Sequence, residues 1–85
     1  MKDFVKTITK QLSSMGFIDI KINNNWSIDA SLPAHSNIKP FQKENIRYYG
    51  ITSITPSFDY WRELETLNIG CREEKLVLNI AITKI

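Results

Sequence analysis

Four groups of side chains in this chain have the types and spacing to do chemistry. His35 is the only histidine and lies in Leu32-Pro33-Ala34-His35-Ser36. An imidazole titrates near neutrality and can act as a general acid or base. Cys71 is the only cysteine and follows Gly70. The period of the preceding residues predicts a helix ending there, and the negative end of a helix raises a thiol pKa, with Arg72 as a partial offset. The spacing leaves a Cys71–His35 dyad open, but no partnering motif surrounds either residue. Asp19 and Asp29 form the second group. Opposed on one strand pair, they would bind a cation or a basic partner, or split their pKa values for acid–base work. Two carboxylates without a third ligand make a poor metal site, so a basic partner is the better use.

The third group is Lys2, Lys6 and Lys10, a ridge at i, i+4 and i+8 that would track phosphates or simply face water. The fourth is Lys39, Lys43 and Arg47, interleaved with Phe41, Tyr48 and Tyr49. Aromatics beside cations stack on single-stranded nucleic acid, and the same types make protein–protein hot spots. The chain contains no phosphate-cradling glycine loop, zinc-ligand spacing or nucleophile elbow. The expectation is a protein that is not an enzyme, with no metal and no cofactor.

The elements that must hold these groups fit one domain over residues 1–85, long enough for one modest core without staples. The net charge is +2 with seven Lys/Arg against four Asp/Glu in residues 1–55, and four against five in residues 56–85. That excess is too mild to argue nucleic acid alone. One cysteine excludes an internal disulfide framework and fits a reducing compartment. No apolar run reaches membrane-spanning length and the N-terminus lacks a secretory apolar stretch, which predicts a cytoplasmic protein.

Phe4, Val5, Ile8, Leu12 and Met15 share one face of a helix over 3–15, with Asp3 at its positive end and Gly16 as its stop. Ile18, Ile20 and Ile22 alternate with polar residues, as do Trp26, Ile28, Ala30 and Leu32, which predicts a hairpin ended by Pro33. Turning Trp26 and the isoleucines inward requires an odd loop, Asn23-Asn24-Asn25. Ile22 then faces Trp26, Ile20 faces Ile28, and Asp19 lies opposite Asp29 in water. Residues 33–45 read as a loop with one helical turn near 41–45, and 46–54 as a third strand. Thr55 as N-cap, Pro56 at N1, Asp59 in the first turn and Gly70 at the end predict a second helix. Its buried stripe would be Tyr60, Trp61, Leu64 and Leu67, with Phe58, Arg62 and Glu65 along an edge able to dock a partner. A last strand is expected from Leu76 to Ile82. Leu76, Leu78, Ile80 and Ile82 line one face, and Val77, Asn79, Ala81 and Thr83 form a milder second face, which suits an inner strand.

The predicted fold is α+β, a two-layer sandwich in the order α-β-β-β-α-β. Its four-stranded mixed sheet carries both helices on one face, with a right-handed crossover joining parallel third and fourth strands. The α-β-β-β start resembles double-stranded-RNA-binding-like domains, among them small mRNA interferase toxins. Their glycine-X-histidine element is replaced here by Trp26-Ser27-Ile28-Asp29, so no residue role carries over.

The function expected is a small binding protein that masks a partner surface by protein–protein contact, as inhibitors, immunity proteins and phage or mobile-element accessory factors do. Phe41, Arg47, Tyr48 and Tyr49 would anchor it, and Asp19 and Asp29 would be its acidic contacts. The alternative is an RNA- or DNA-binding module using Lys2, Lys6, Lys10, Lys39, Lys43 and Arg47. No membrane partner is expected; a second copy of the chain is a further candidate for the open sheet face or an edge strand.

Overall fold

A computed structural model of the chain describes residues 2–36, 38, 41, 42, 46, 48 and 50–85. Helix α1 runs Asp3–Ser14. Lys2 precedes it in extended backbone without a side-chain cap, so Asp3 in the first turn is the group that meets the positive end. Gly16 stops the helix at φ +97°. Its N–H donates to the Ser13 carbonyl at 3.2 Å, and the Phe17 N–H donates to the Leu12 carbonyl at 3.0 Å. That is a Schellman closure, with Leu12 and Phe17 both buried where the motif places its apolar contact. The predicted helix and its glycine stop are both present.

Strands β1 (Ile18–Asn24) and β2 (Ser27–Leu32) form the predicted hairpin in a different register. Asn24 Oδ1 accepts the Trp26 N–H at 3.0 Å, an Asx turn that shortens the loop to Asn25 and Trp26. Ile22 therefore stands opposite Ile28 and Lys21 opposite Asp29, with register shifts on both sides of that pair. The parity that demands an odd loop is met by bulges instead. Two expectations are corrected by this. Trp26 does not turn inward but is 57% exposed, and Asp19 does not face Asp29 but sits in the bulged stretch at φ +52°.

Strands β3 (Ile51–Asp59), β4 (Leu64–Cys71) and β5 (Leu76–Lys84) follow, and the five-stranded sheet has the order β1-β2-β5-β4-β3. The β3–β4–β5 segment is an antiparallel meander, and the parallel pair is β2 with β5. The α+β class holds, and the central place of β5 is as predicted. The second helix, the four-strand count and the crossover are not. Residues 55–70 form the end of β3, a turn and most of β4. The third strand begins at Ile51 rather than 46, and β5 leaves no edge for a second copy to cover. The predicted helical turn near 41–45 lies largely outside the described residues.

The reason is visible in the core. Ile28, Leu32, Leu67, Ile69, Leu78, Ile80 and Ile82 are fully buried on one sheet face beneath Phe4, Val5, Ile8 and Leu12 of α1. Phe17, Phe41 and Ile46 complete that layer, leaving no room for a second helix on it. The other face carries small polar side chains, among them Ser27, Asp29, Thr55, Ser57, Asn68 and Asn79, with Asn79 Nδ2 donating to Asn68 Oδ1 at 2.8 Å. That face offers no apolar bed. A helix from 55 to 70 would have had nowhere to bury its aromatics, whereas β4 buries Leu67 and Ile69 completely.

Candidate functional site

The β3–β4 turn, residues 60–63, holds the two most exposed large apolar side chains among the described residues, Tyr60 and Trp61. Asp59 ends β3, and its Oδ1 accepts the N–H of Trp61 at 3.0 Å and of Arg62 at 3.2 Å. An Asx side chain standing in for a backbone acceptor fixes a tight turn. Glu63 completes it at φ +54°. Trp61 is 97% exposed, Tyr60 82% and Phe58 44%. The Phe58 and Tyr60 rings meet edge to face, with centroids 5.0 Å apart and an interplanar angle of 77°, the arrangement that ring quadrupoles favour.

One ion pair ties this tip to the sheet, and a second joins β4 to β5 beside it. Arg62 Nη2 lies 3.6 Å from Asp29 Oδ1. Ala81 of β5 pairs with Asp29 on one side and Thr66 on the other, so the arginine crosses the polar face at the level of β5 to reach β2. Ala81 and Thr66 are both buried on that face. Lys84 Nζ lies 3.8 Å from Glu65 Oε2 and donates to the Ser36 carbonyl at 2.7 Å. Both pairs are half exposed and worth little in stability; their effect is to orient.

The other candidate residues are scattered. Phe41 is buried against Phe17, with ring centroids 6.2 Å apart, and Tyr48 is half-buried against Phe4 at 5.2 Å. Phe41 is therefore core rather than a surface anchor, and the Tyr48 ring turns toward the core. Burial, with help from Cys71 and Glu73, pushes the Tyr48 hydroxyl up to about 12. Arg47, Tyr49, Lys39 and Lys43 lie outside the described residues. Lys2 pairs with Glu74 at 2.8 Å, and that hydrogen bond raises its pKa. Lys6 and Lys10 are exposed. His35 follows Ala34, whose N–H is bonded to the Ile85 carbonyl at the far end of β5, whereas Cys71 pairs with Leu76 at its start. Nine residue steps from Leu76 to Ile85 at about 3.3 Å separate those points by roughly 30 Å, so the two form no dyad. Among the described residues, no group of three or more His, Cys, Asp or Glu is placed to hold a metal ion. No helix among them is long and apolar enough to cross a membrane.

Sequence reasoning placed Tyr60 and Trp61 in the core and missed them as a contact surface. The signal was present. Leu67, Ile69 and Cys71 alternate with Thr66, Asn68 and Gly70, and Asp59-Tyr60-Trp61-Arg62-Glu63 precedes that run as a turn would. No family model, curated protein or solved structure matches the chain.

Proposed function

We propose that this chain is a non-catalytic binding protein that acts by protein–protein contact, with the β3–β4 tip as the surface that meets its partner. The observation that carries this is Trp61, 97% exposed on a turn that Asp59 holds with two hydrogen bonds. Trp, Tyr and Arg dominate the binding energy of protein interfaces, and an anchor whose backbone is already fixed loses less freedom on docking. The mode of action is occlusion of the partner's surface, as an inhibitor, an immunity protein or a phage or mobile-element accessory factor would use. A cytoplasmic setting is part of the proposal, supported by the single cysteine. The nucleic-acid alternative is weaker at the lysine ridge, because Lys2 is engaged by Glu74.

The test is a photoreactive amino acid at position 61, in cells that make the protein, with position 26 as control. A single protein adduct in amounts comparable with the chain is expected from position 61 and not from 26. No protein adduct, or equal labelling from both positions, would count against the tip as the contact surface. RNA adducts would favour the alternative.

A further inference from the structure

We infer that the tip is shaped for a partner protein presenting an apolar cleft with a basic rim, a conclusion that rests on the contact role proposed above. Two carboxylates bracket the aromatic pair in sequence: Asp59 immediately before Tyr60-Trp61, and Glu63 just after Arg62. The only cation inside that bracket, Arg62, already has its charge answered by Asp29 at 3.6 Å. Lys84 is likewise answered, by Glu65 at 3.8 Å. Among the described residues no cation lies within ion-pair distance of Asp59 or Glu63. Two backbone N–H groups hold the Asp59 carboxylate in place, and neither brings a formal charge.

Burying the indole brings these two uncompensated carboxylates to the lip of whatever receives it. Each lies two residues from Trp61 in sequence, and charge acts over ~8 Å at physiological ionic strength. A lip of phosphates, whether of nucleic acid or of an anionic bilayer, meets like charge there. A neutral apolar lip desolvates two carboxylates without return. A lip of Lys and Arg side chains is the chemistry that lets the aromatics bury and the acids stay paired. The rest of the chain points the other way, because a net charge of +2 favours acidic partners in general. The preference is thus local to the tip, which makes it separable by experiment.

Random twelve-residue peptides displayed on phage are selected against the whole chain and, in parallel, against Trp61→Ala and against the double variant Asp59→Asn, Glu63→Gln. Asn at 59 keeps the Oδ1 that accepts both turn hydrogen bonds, so the double variant retains the tip and loses only charge. The expected result is a set of peptides lost with Trp61→Ala, rich in apolar residues and in Lys and Arg. Synthetic copies should bind the double variant about tenfold more weakly at low salt, with a flatter salt dependence. Trp61-dependent peptides that are neutral or acidic, or that bind the double variant equally well, would overturn the basic rim and leave the contact role standing. Finding no Trp61-dependent peptide overturns both. So does Trp61-dependent binding to phosphatidylcholine–phosphatidylserine vesicles or to a twenty-nucleotide single-stranded RNA.

Discussion

The spacing of Trp61 and Leu67 puts them on one helical stripe, yet one stands in water and the other is fully buried. Their substitutions should separate accordingly. Trp61→Ala removes a side chain with almost no buried surface and should change stability by less than about 0.5 kcal/mol. Leu67→Ala opens a cavity beneath α1 and should cost about 2–5 kcal/mol. Urea titration of both variants checks this, and a large loss from Trp61→Ala would restore the helix. Asp29 is engaged within the chain by Arg62 of the tip, and Asp19 does not join it because bulges replace the expected register. Tyr48 supplies a pH signature. Its hydroxyl is raised from 10.0 to about 12, chiefly by burial, so the native state holds a proton that the unfolded chain releases. Its contribution is therefore complete below pH 10 and is lost as pH rises from 10 toward 12. Tyr48→Phe should flatten that part of the alkaline stability profile, and an unchanged profile would show that another group sets it.

At the level of elements, Gly70 shows how one residue carried two meanings. As a helix stop it closed a convincing frame with Thr55 and Pro56; in the structure it lies in β4 opposite Ser53, beside the β3 bulge. A Cβ there would stand 2.7 Å from Ser53 Oγ and 2.8 Å from Thr52 Oγ1. Gly70→Ala should cost about 1–3 kcal/mol through overpacking. Adding Ser53→Ala should recover part of the loss, a coupling that a double-mutant cycle reads directly; a cycle with no coupling would place the cost elsewhere. Helix α1 with Gly16, the alternation of β1 and β2, the stop at Pro33 and the inner character of β5 were legible because local period and local chemistry agreed there. Residues 55–70 were not, because helix-start and helix-stop signals coincided with a period-two run. The choice between them was made by tertiary structure. β5 had an open side to pair, and α1 with Phe17, Phe41 and Ile46 had filled the only apolar face. Phe58 and Arg62 were readable as a docking edge, but Tyr60 and Trp61 could be seen as surface only once that helix was gone.

For the molecule as a whole, a five-stranded open sheet has two edges, β1 and β3, and each is a template for pairing with another chain. Both are blunted. β1 carries register shifts on each side of the Lys21–Ile22 pairs and holds Asp19 at φ +52°, which breaks any flat run of donors. β3 is longer, nine residues, and its ladder with β4 is uninterrupted from Ser53 to Asp59. Pro56 lies in the middle of that stretch. An unbroken ladder requires the proline nitrogen on the open side, where a strand from a second copy would find no donor at its centre. With both edges closed in this way, the contact proposed above falls to side chains, and Tyr60 and Trp61 are the most exposed of the large apolar ones. Pro56→Val tests the division of labour. Valine restores the N–H and has high strand propensity, so the variant should keep the fold and form heavier species in sedimentation as concentration rises. Adding Trp61→Ala should leave that new association intact, since edge pairing uses backbone and not the tip. A Pro56→Val chain that sediments as the parent does at every concentration would mean that something other than the proline guards this edge.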